Sequence, residues 1–293
     1  MKSMHVSSVS LRQMREHYRR SLVSLYETEE INNIFNLLVE EYLGLSRALM
    51  ILSLDQDLRP PVSGLFERAL NDLINARPVQ YIIGKTMFCG RSFMVSEGVL
   101  IPRPETGEMV EWIVESYSDV KKELSVIDIG TGSGCIAITL SGRSNHMKVY
   151  ALDVSLNALD TARKNAYAND VDVVFLHADI LKPSSWKDCG LFDIIVSNPP
   201  YVRRSEKQHM KRNVLDFEPH EALFVPDDDP LVFYRHILNF AGFHLAPQGK
   251  IYLEFNEAMV SEMIELTQKQ GLILEEIRKD IHGKDRMARI RKS

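Results

Sequence analysis

The chain has 293 residues, 45% hydrophobic and 26% charged, enough for one large globular core or two ordinary ones. Lysine and arginine number 35 against 40 aspartate and glutamate, a formal charge of −5, so no overall basic field draws the protein to a nucleic-acid backbone. Cys89, Cys135 and Cys189 are odd in number and far apart, which argues against a disulfide framework or a zinc site and for reduced thiols in a cytoplasm.

From the N-terminus, Met1-Lys2-Ser3-Met4-His5-Val6-Ser7 lacks the continuous apolar core of a signal peptide. No later segment approaches the ~20 apolar residues of a membrane span. Up to about residue 78 the apolar periodicity is helical, with Ile31, Ile34, Phe35 and Leu38 on one face, and Leu65, Phe66, Ala69, Leu70 and Leu73 on another. A small helical bundle is expected, its last helix stopped at Arg77-Pro78. Thr86-Met87-Phe88 and Ser92-Phe93-Met94-Val95 flank Cys89-Gly90-Arg91 and predict a β-hairpin joining two domains. Strand and helix signals then alternate: strands at 126–129, 149–152, 173–176 and 192–196, with helices near 135–140 and over 155–168. Further on come a strand at 251–255, a helix around 258–268 and strands at 273–277 and 287–290. Such alternation predicts an α/β fold, a mostly parallel sheet with helices on both faces and a closing antiparallel pair at its edge. Asp227-Asp228-Asp229 reads as a solvated loop, and no histidine is assigned a catalytic role.

Two loops carry the chemistry. Val126-Ile127-Asp128-Ile129-Gly130-Thr131-Gly132-Ser133-Gly134 runs from a buried strand into a glycine turn before a helix, where backbone can approach a nucleotide-like ligand. A dinucleotide fingerprint wants its third glycine where Cys135 stands, so the spacing leans from NAD toward S-adenosylmethionine. Asp153 ends the next strand at about the separation for a ribose-binding carboxylate, although a strand-end or helix-cap role is as common. Asp179, after the third strand, is placed to accept from an adenine amine with Ile180 against the ring. Asn198-Pro199-Pro200-Tyr201 follows the fourth strand. The Asn198 oxygen and a carbonyl beside two rigid prolines would be fixed acceptors for the two N–H bonds of a planar nitrogen, with Tyr201 available to pack on the flat group. These pieces lie after successive strands, where ligands of open α/β sheets bind.

With these motifs in place, the chain resembles the HemK/PrmC-type protein-glutamine N-methyltransferases. The resemblance covers most of the chain. It rests on Arg77-Pro78-Val79-Gln80-Tyr81-Ile82-Ile83-Gly84, Val99-Leu100-Ile101-Pro102-Arg103-Pro104-Glu105-Thr106, the Gly130 to Gly134 loop, Asn198 to Tyr201, and Phe217-Glu218-Pro219. It implies a seven-stranded Rossmann-like methyltransferase sheet behind a small N-terminal helical bundle. The division would be a substrate-recognition domain over 1–84, a connecting hairpin or linker over 85–103, and the methyltransferase domain over 104–293. Gly130, Thr131, Gly132, Ser133, Gly134, Asp153 and Ile180 would contact S-adenosylmethionine, with Asp179 and Asn198 as further cofactor-binding candidates. Asn198, Pro199, Pro200 and Tyr201 would hold the amide of the glutamine in the Gly-Gly-Gln loop of a peptide-chain release factor. No metal, membrane or direct nucleic-acid partner is implied. Gly107 departs from the family pattern, where a second Glu commonly follows the Thr, and Asn256 stands where Gly is frequent. Two rivals remain on the residues alone: an adenine or cytosine amino-methyltransferase, which would have to extract a base and bind phosphate, and a non-catalytic S-adenosylmethionine-binding or ribosome-associated module.

Overall fold

A computed structural model describes residues 9–293; the stretch from Met1 to Ser7 lies outside the described residues. The chain divides into two compact units, one running to Gly84 and including Arg212–Phe217, the other made of Lys85–Lys211 and Glu218–Ser293.

The first unit is helical: α1 Leu11–Leu22, α2 Thr28–Leu43, α3 Arg47–Leu52, α4 Pro60–Ile74 and α5 Val79–Ile83. Ser10 opens α1 through a reciprocal capping box with Gln13, and Gly44 ends α2 in the left-handed region at φ 66°. The expected faces pack, except that Leu65 is only half-buried and stands outside the core. Ile31, Ile34, Phe35 and Leu38 meet Phe66, Ala69, Leu70 and Leu73 in one core, where the Tyr18 hydroxyl donates to the Phe66 carbonyl at 2.6 Å. Helix α4 ends three residues before Arg77, and Pro78 caps α5 instead.

The second unit begins with a hairpin, Lys85–Phe88 paired with Arg91–Met94, turning at Cys89 and Gly90 with φ of 47° and 77°. It is no free linker. Phe88 and Phe93 lie in a core with Met109, Val110 and Trp112 of α6 Pro104–Ser116, and Asn165 binds both the N–H and the carbonyl of Met94.

Seven strands form the main sheet: β1 Leu124–Ile129, β2 Met147–Asp153, β3 Val174–His177, β4 Phe192–Ser197, β5 Leu245–Glu254, β6 Leu272–Lys279 and β7 Asp285–Lys292. Their spatial order is β6-β7-β5-β4-β1-β2-β3, with the first five in sequence parallel and β7 antiparallel to both β5 and β6. The last strand is therefore inserted inside the sheet, and β6 is the edge. Period-two alternation separates the faces: Val126, Ile194 and Tyr252 enter the core under α6 and α7 Cys135–Arg143. Ile127, Ile195 and Ile251 enter the opposite core, under α9 Val232–His244 and α10 Val260–Lys269. Helix α8, Leu156–Ala168, links β2 to β3. Strand order reverses between β1 and β4, the point where open α/β sheets bind ligands. There the Ser197 hydroxyl donates to the Ile129 carbonyl at 2.6 Å and ties the two carboxyl ends together.

Candidate active site

A cavity of about 670 Å³ opens at this end of the sheet, within the range of small-molecule sites. Gly130, Thr131, Gly132 and Ser133 form one wall, Asp153 another, Asp179 and Ile180 a third, and Asn198, Pro199 and Pro200 line it beside them. Phe233 and Ile237 of α9 add an apolar surface that the sequence reading does not find. Gly134 and Tyr201 stand off the wall.

The loop's glycines serve different ends. Gly130, Gly132 and Gly134 have φ of 75°, 56° and 83°, a region strained for any residue with a Cβ. At Gly130 and Gly132 nothing lies within 4 Å of an added Cβ, so the backbone there is open to a ligand. At Gly134, which caps α7, a Cβ would meet Ile138 at 2.7 Å and Ala162 at 3.1 Å. Two acids hold the loop. Asp153 Oδ2 accepts from the Gly132 N–H at 2.8 Å and Oδ1 from the Ser155 N–H at 2.8 Å, fixing both the glycine turn and the entry to α8. Burial pushes the Asp153 carboxyl above its ordinary range, against the three backbone N–H groups of Ser155, Gly132 and Val154. Asp128 is fully buried, its Oδ2 accepting from the Thr131 hydroxyl at 2.6 Å while Oδ1 has no protein partner. Burial outweighs that bond and pushes its pKa up to about 7. Asp179 Oδ1 accepts from the Leu181 N–H at 3.0 Å and its Oδ2 lies 3.1 Å from Lys182 Nζ.

On the other side of the switch point, Asn198 Nδ2 donates to Thr106 Oγ1 at 2.9 Å. Its Oδ1 has no protein partner among the described residues, and Asn198 lines the cavity. Thr106 in turn donates to Glu254 Oε2 at 2.6 Å, and the Tyr201 hydroxyl donates to Glu254 Oε1 at 3.0 Å. Tyr201 thus reaches the network behind Asn198. Glu254 ends β5 and is 1% exposed. Burial raises its pKa, while Thr106, Tyr201 and Arg286 oppose that shift. Asp128 and Glu254 escaped the sequence reading, although each was signalled by an acid set in an apolar strand.

Open backbone at Gly130 and Gly132 and the partnerless buried Ser133 Oγ on the cavity wall fit a polar, nucleotide-like ligand there. Among the described residues, no group of His, Cys, Asp and Glu could hold a metal ion.

Comparison with known proteins finds two family models on separate stretches of the chain. Residues 13–84 match the PrmC N-terminal domain and residues 112–217 the methyltransferase small domain. A release factor glutamine methyltransferase of Flavobacterium psychrophilum is 42% identical over 96% of this chain and 98% of its own. One of Bacteroides thetaiotaomicron is 42% identical over 92% of this chain and 96% of its own. A solved structure, the release factor-specific protein-(glutamine-N5) methyltransferase of Alicyclobacillus acidocaldarius, is 25% identical with a TM-score of 0.42, covering 69% of this chain and 100% of that one. With nearly full-length relatives at this identity, the chain belongs to the release factor glutamine methyltransferase family.

Proposed function

We propose that this protein transfers a methyl group from S-adenosylmethionine to the side-chain amide nitrogen of the glutamine in the Gly-Gly-Gln motif of peptide-chain release factors. One observation carries the proposal: Asn198, its Nδ2 committed to Thr106, offers Oδ1 to the cavity that the glycine loop also lines.

An amide nitrogen is a poor nucleophile because its lone pair is delocalised into the carbonyl. Two fixed acceptors, Asn198 Oδ1 and a carbonyl of the Pro199-Pro200 turn, would take its two N–H bonds and turn the lone pair onto the line of attack. S-adenosylmethionine, when bound, supplies an electrophilic sulfonium methyl. Gly130 to Ser133 would admit its amino-acid and ribose portions, Asp153 would accept from the ribose hydroxyls, and Asp179 with Ile180 would receive the adenine. Holding nitrogen and methyl in line is worth up to ~7–11 kcal/mol in favourable cases. The same acceptors stabilise positive charge appearing on nitrogen. The amide proton becomes acidic only as the new N–C bond replaces the methyl's bond to sulfur, and it would then pass to water, so no strong base is needed. The helical unit would grip the release factor, and the protein would then act in the cytoplasm, at translation termination.

Incubation with labelled S-adenosylmethionine and, separately, release factors and nucleic acids tests the proposal. Mass spectrometry is expected to find the label on the Gly-Gly-Gln glutamine. Label on an adenine or cytosine amine would replace the proposal with the nucleic-acid alternative, and bound cofactor without turnover on any substrate would reduce the protein to a binding module.

A further inference from the structure

The two ends of an asparagine amide are nearly the same size, so shape alone does not decide whether oxygen or NH₂ faces the substrate. The decision is electrostatic. Toward a glutamine amide that brings two N–H donors, the oxygen must face outward; reversed, donor would meet donor.

We propose that Glu254, acting through Thr106, sets which end of the Asn198 amide faces the substrate, making both positioning residues for methyl transfer; the inference rests on the function proposed above. An ionised carboxylate only accepts hydrogen bonds. With Glu254 Oε2 at 2.6 Å, the single proton of the Thr106 hydroxyl is committed to the acid. Thr106 Oγ1 then has only lone pairs for Asn198, so the side chain must turn Nδ2 toward it, at 2.9 Å. Oδ1 is left for the cavity. Tyr201 holds the second Glu254 oxygen by donation at 3.0 Å, which keeps the carboxylate from rotating away.

The relay depends on Glu254 being charged. A protonated Glu254 could donate to Thr106, releasing the threonine proton to the Asn198 oxygen and reversing the amide. The groups around it come from several elements. Thr106 and Glu105 belong to α6, Tyr201 to the loop after β4, and Arg286 to β7; the Tyr234 hydroxyl of α9 donates to the Glu254 main-chain oxygen at 3.1 Å. Burial and Glu105 raise the pKa of Glu254, and Thr106, Tyr201 and Arg286 lower it. The balance lies upward, so turnover should fall on the acid side as Glu254 takes a proton.

Full-length Thr106→Val, Thr106→Ser and Glu254→Gln test the relay. Single-turnover methylation of a release factor is followed across pH, with cofactor affinity measured by calorimetry. Thr106→Val, which removes one orienting hydrogen bond, should lose about tenfold or more in rate. The cofactor Kd and the KM for the release factor should stay near wild type. Thr106→Ser keeps the hydroxyl and should restore the rate, and Glu254→Gln should abolish the acid limb of the profile. A serine variant as slow as the valine one, a valine variant at the wild-type rate, or an unchanged acid limb in Glu254→Gln would each overturn the relay. If wild type modifies a nucleic-acid amine instead of the release factor, the proposed function fails. The same Thr106 pair, measured on that substrate, still decides the positioning role.

Discussion

Asp153→Ala separates the ligand-binding role of the second strand's acid from its structural one. In the free protein the carboxylate already takes the N–H groups of Gly132 and Ser155, each at 2.8 Å. Two oxygens offer about four lone-pair sites, and with the Val154 N–H also directed at the carboxylate at least one remains for a ribose hydroxyl. Alanine removes an ionised acceptor from the ligand, and hydrogen bonds to charged groups are worth about 1.5–3 kcal/mol, a rise of roughly 10- to 150-fold in Kd. It also releases Gly132 from β2, so the free protein should melt lower. Asn at this position is no gentler substitute: one end of its amide would point N–H at the N–H of Gly132 or Ser155. Calorimetric titration with S-adenosylmethionine, alongside melting of the free protein, measures both effects. An affinity in Asp153→Ala equal to wild type would remove Asp153 from the ligand site and leave it a loop tie alone.

Asn198→Ala should abolish turnover with little loss of cofactor affinity, whereas Asn198→Asp keeps an acceptor and should retain partial single-turnover activity, lowered because two carboxylates then share the Thr106 hydroxyl; equal inactivity of the two would show that the acceptor is not decisive. Gly134→Ala combines left-handed strain with overpacking against Ile138 and Ala162 and should destabilise by about 2–5 kcal/mol. At Gly132, where an added Cβ meets nothing, alanine should cost only about 1–2 kcal/mol of strain, and equal denaturant midpoints for the two variants would contradict this account. Asp128 has a folded pKa of about 7 against an ordinary 3.8; because it is raised, its stabilising contribution is complete below the ordinary value and is lost as pH rises through about 7. Asp128→Asn, which mimics the protonated acid, should remove that loss, worth up to about 4 kcal/mol. The stability difference between variant and wild type should therefore shift in the variant's favour between pH 4.5 and 8, and a difference that stays flat would refute the assignment.

Much of the architecture is visible in the sequence because strand and helix periods differ and because glycine and proline punctuate the chain. The runs ending at Ile129, Asp153 and Ser197 announce buried parallel strands, and their register brings the loops after them to one cavity. Helix α9 is absent from the sequence-based expectation although Tyr234, Ile237, Leu238 and Ala241, all buried, recur at helical spacing. Other features depend on tertiary partners. Insertion of β7 between β5 and β6 is invisible to local pattern, since a short connection predicts only that the last two strands pair. Nor can spacing reveal that Arg212–Phe217, more than a hundred residues past Gly84, groups with the helical unit. In the site, Thr106 stands in a segment marked by Pro102, Pro104 and Gly107, but its partner Glu254 lies 148 residues away and the two become neighbours only when α6 packs on β5.

The two departures from the family pattern adjoin this orienting pair, Gly107 directly after Thr106 and Asn256 two residues after Glu254. Both resolve into local packing. At Gly107 a Cβ would approach Cys89 Sγ at 3.2 Å and the Phe88 ring at 3.7 Å, so the bare backbone of α6 is what lets the hairpin tip seat against it. A side chain there would require the Cys89 side chain to give by a few tenths of an ångström, and glycine avoids that adjustment. Asn256 has φ −73°, ordinary for any residue, and its side chain accepts from the Ala258 N–H at 3.1 Å to cap the turn Glu257–Met259. It needs no glycine and supplies a cap that glycine lacks. Neither change reaches the hydroxyl or the carboxylate beside it. Thr106 Oγ1 and Glu254 Oε2 remain 2.6 Å apart, and Thr106 still accepts from Asn198 Nδ2 at 2.9 Å, so the proposed orientation of the Asn198 amide is compatible with both departures.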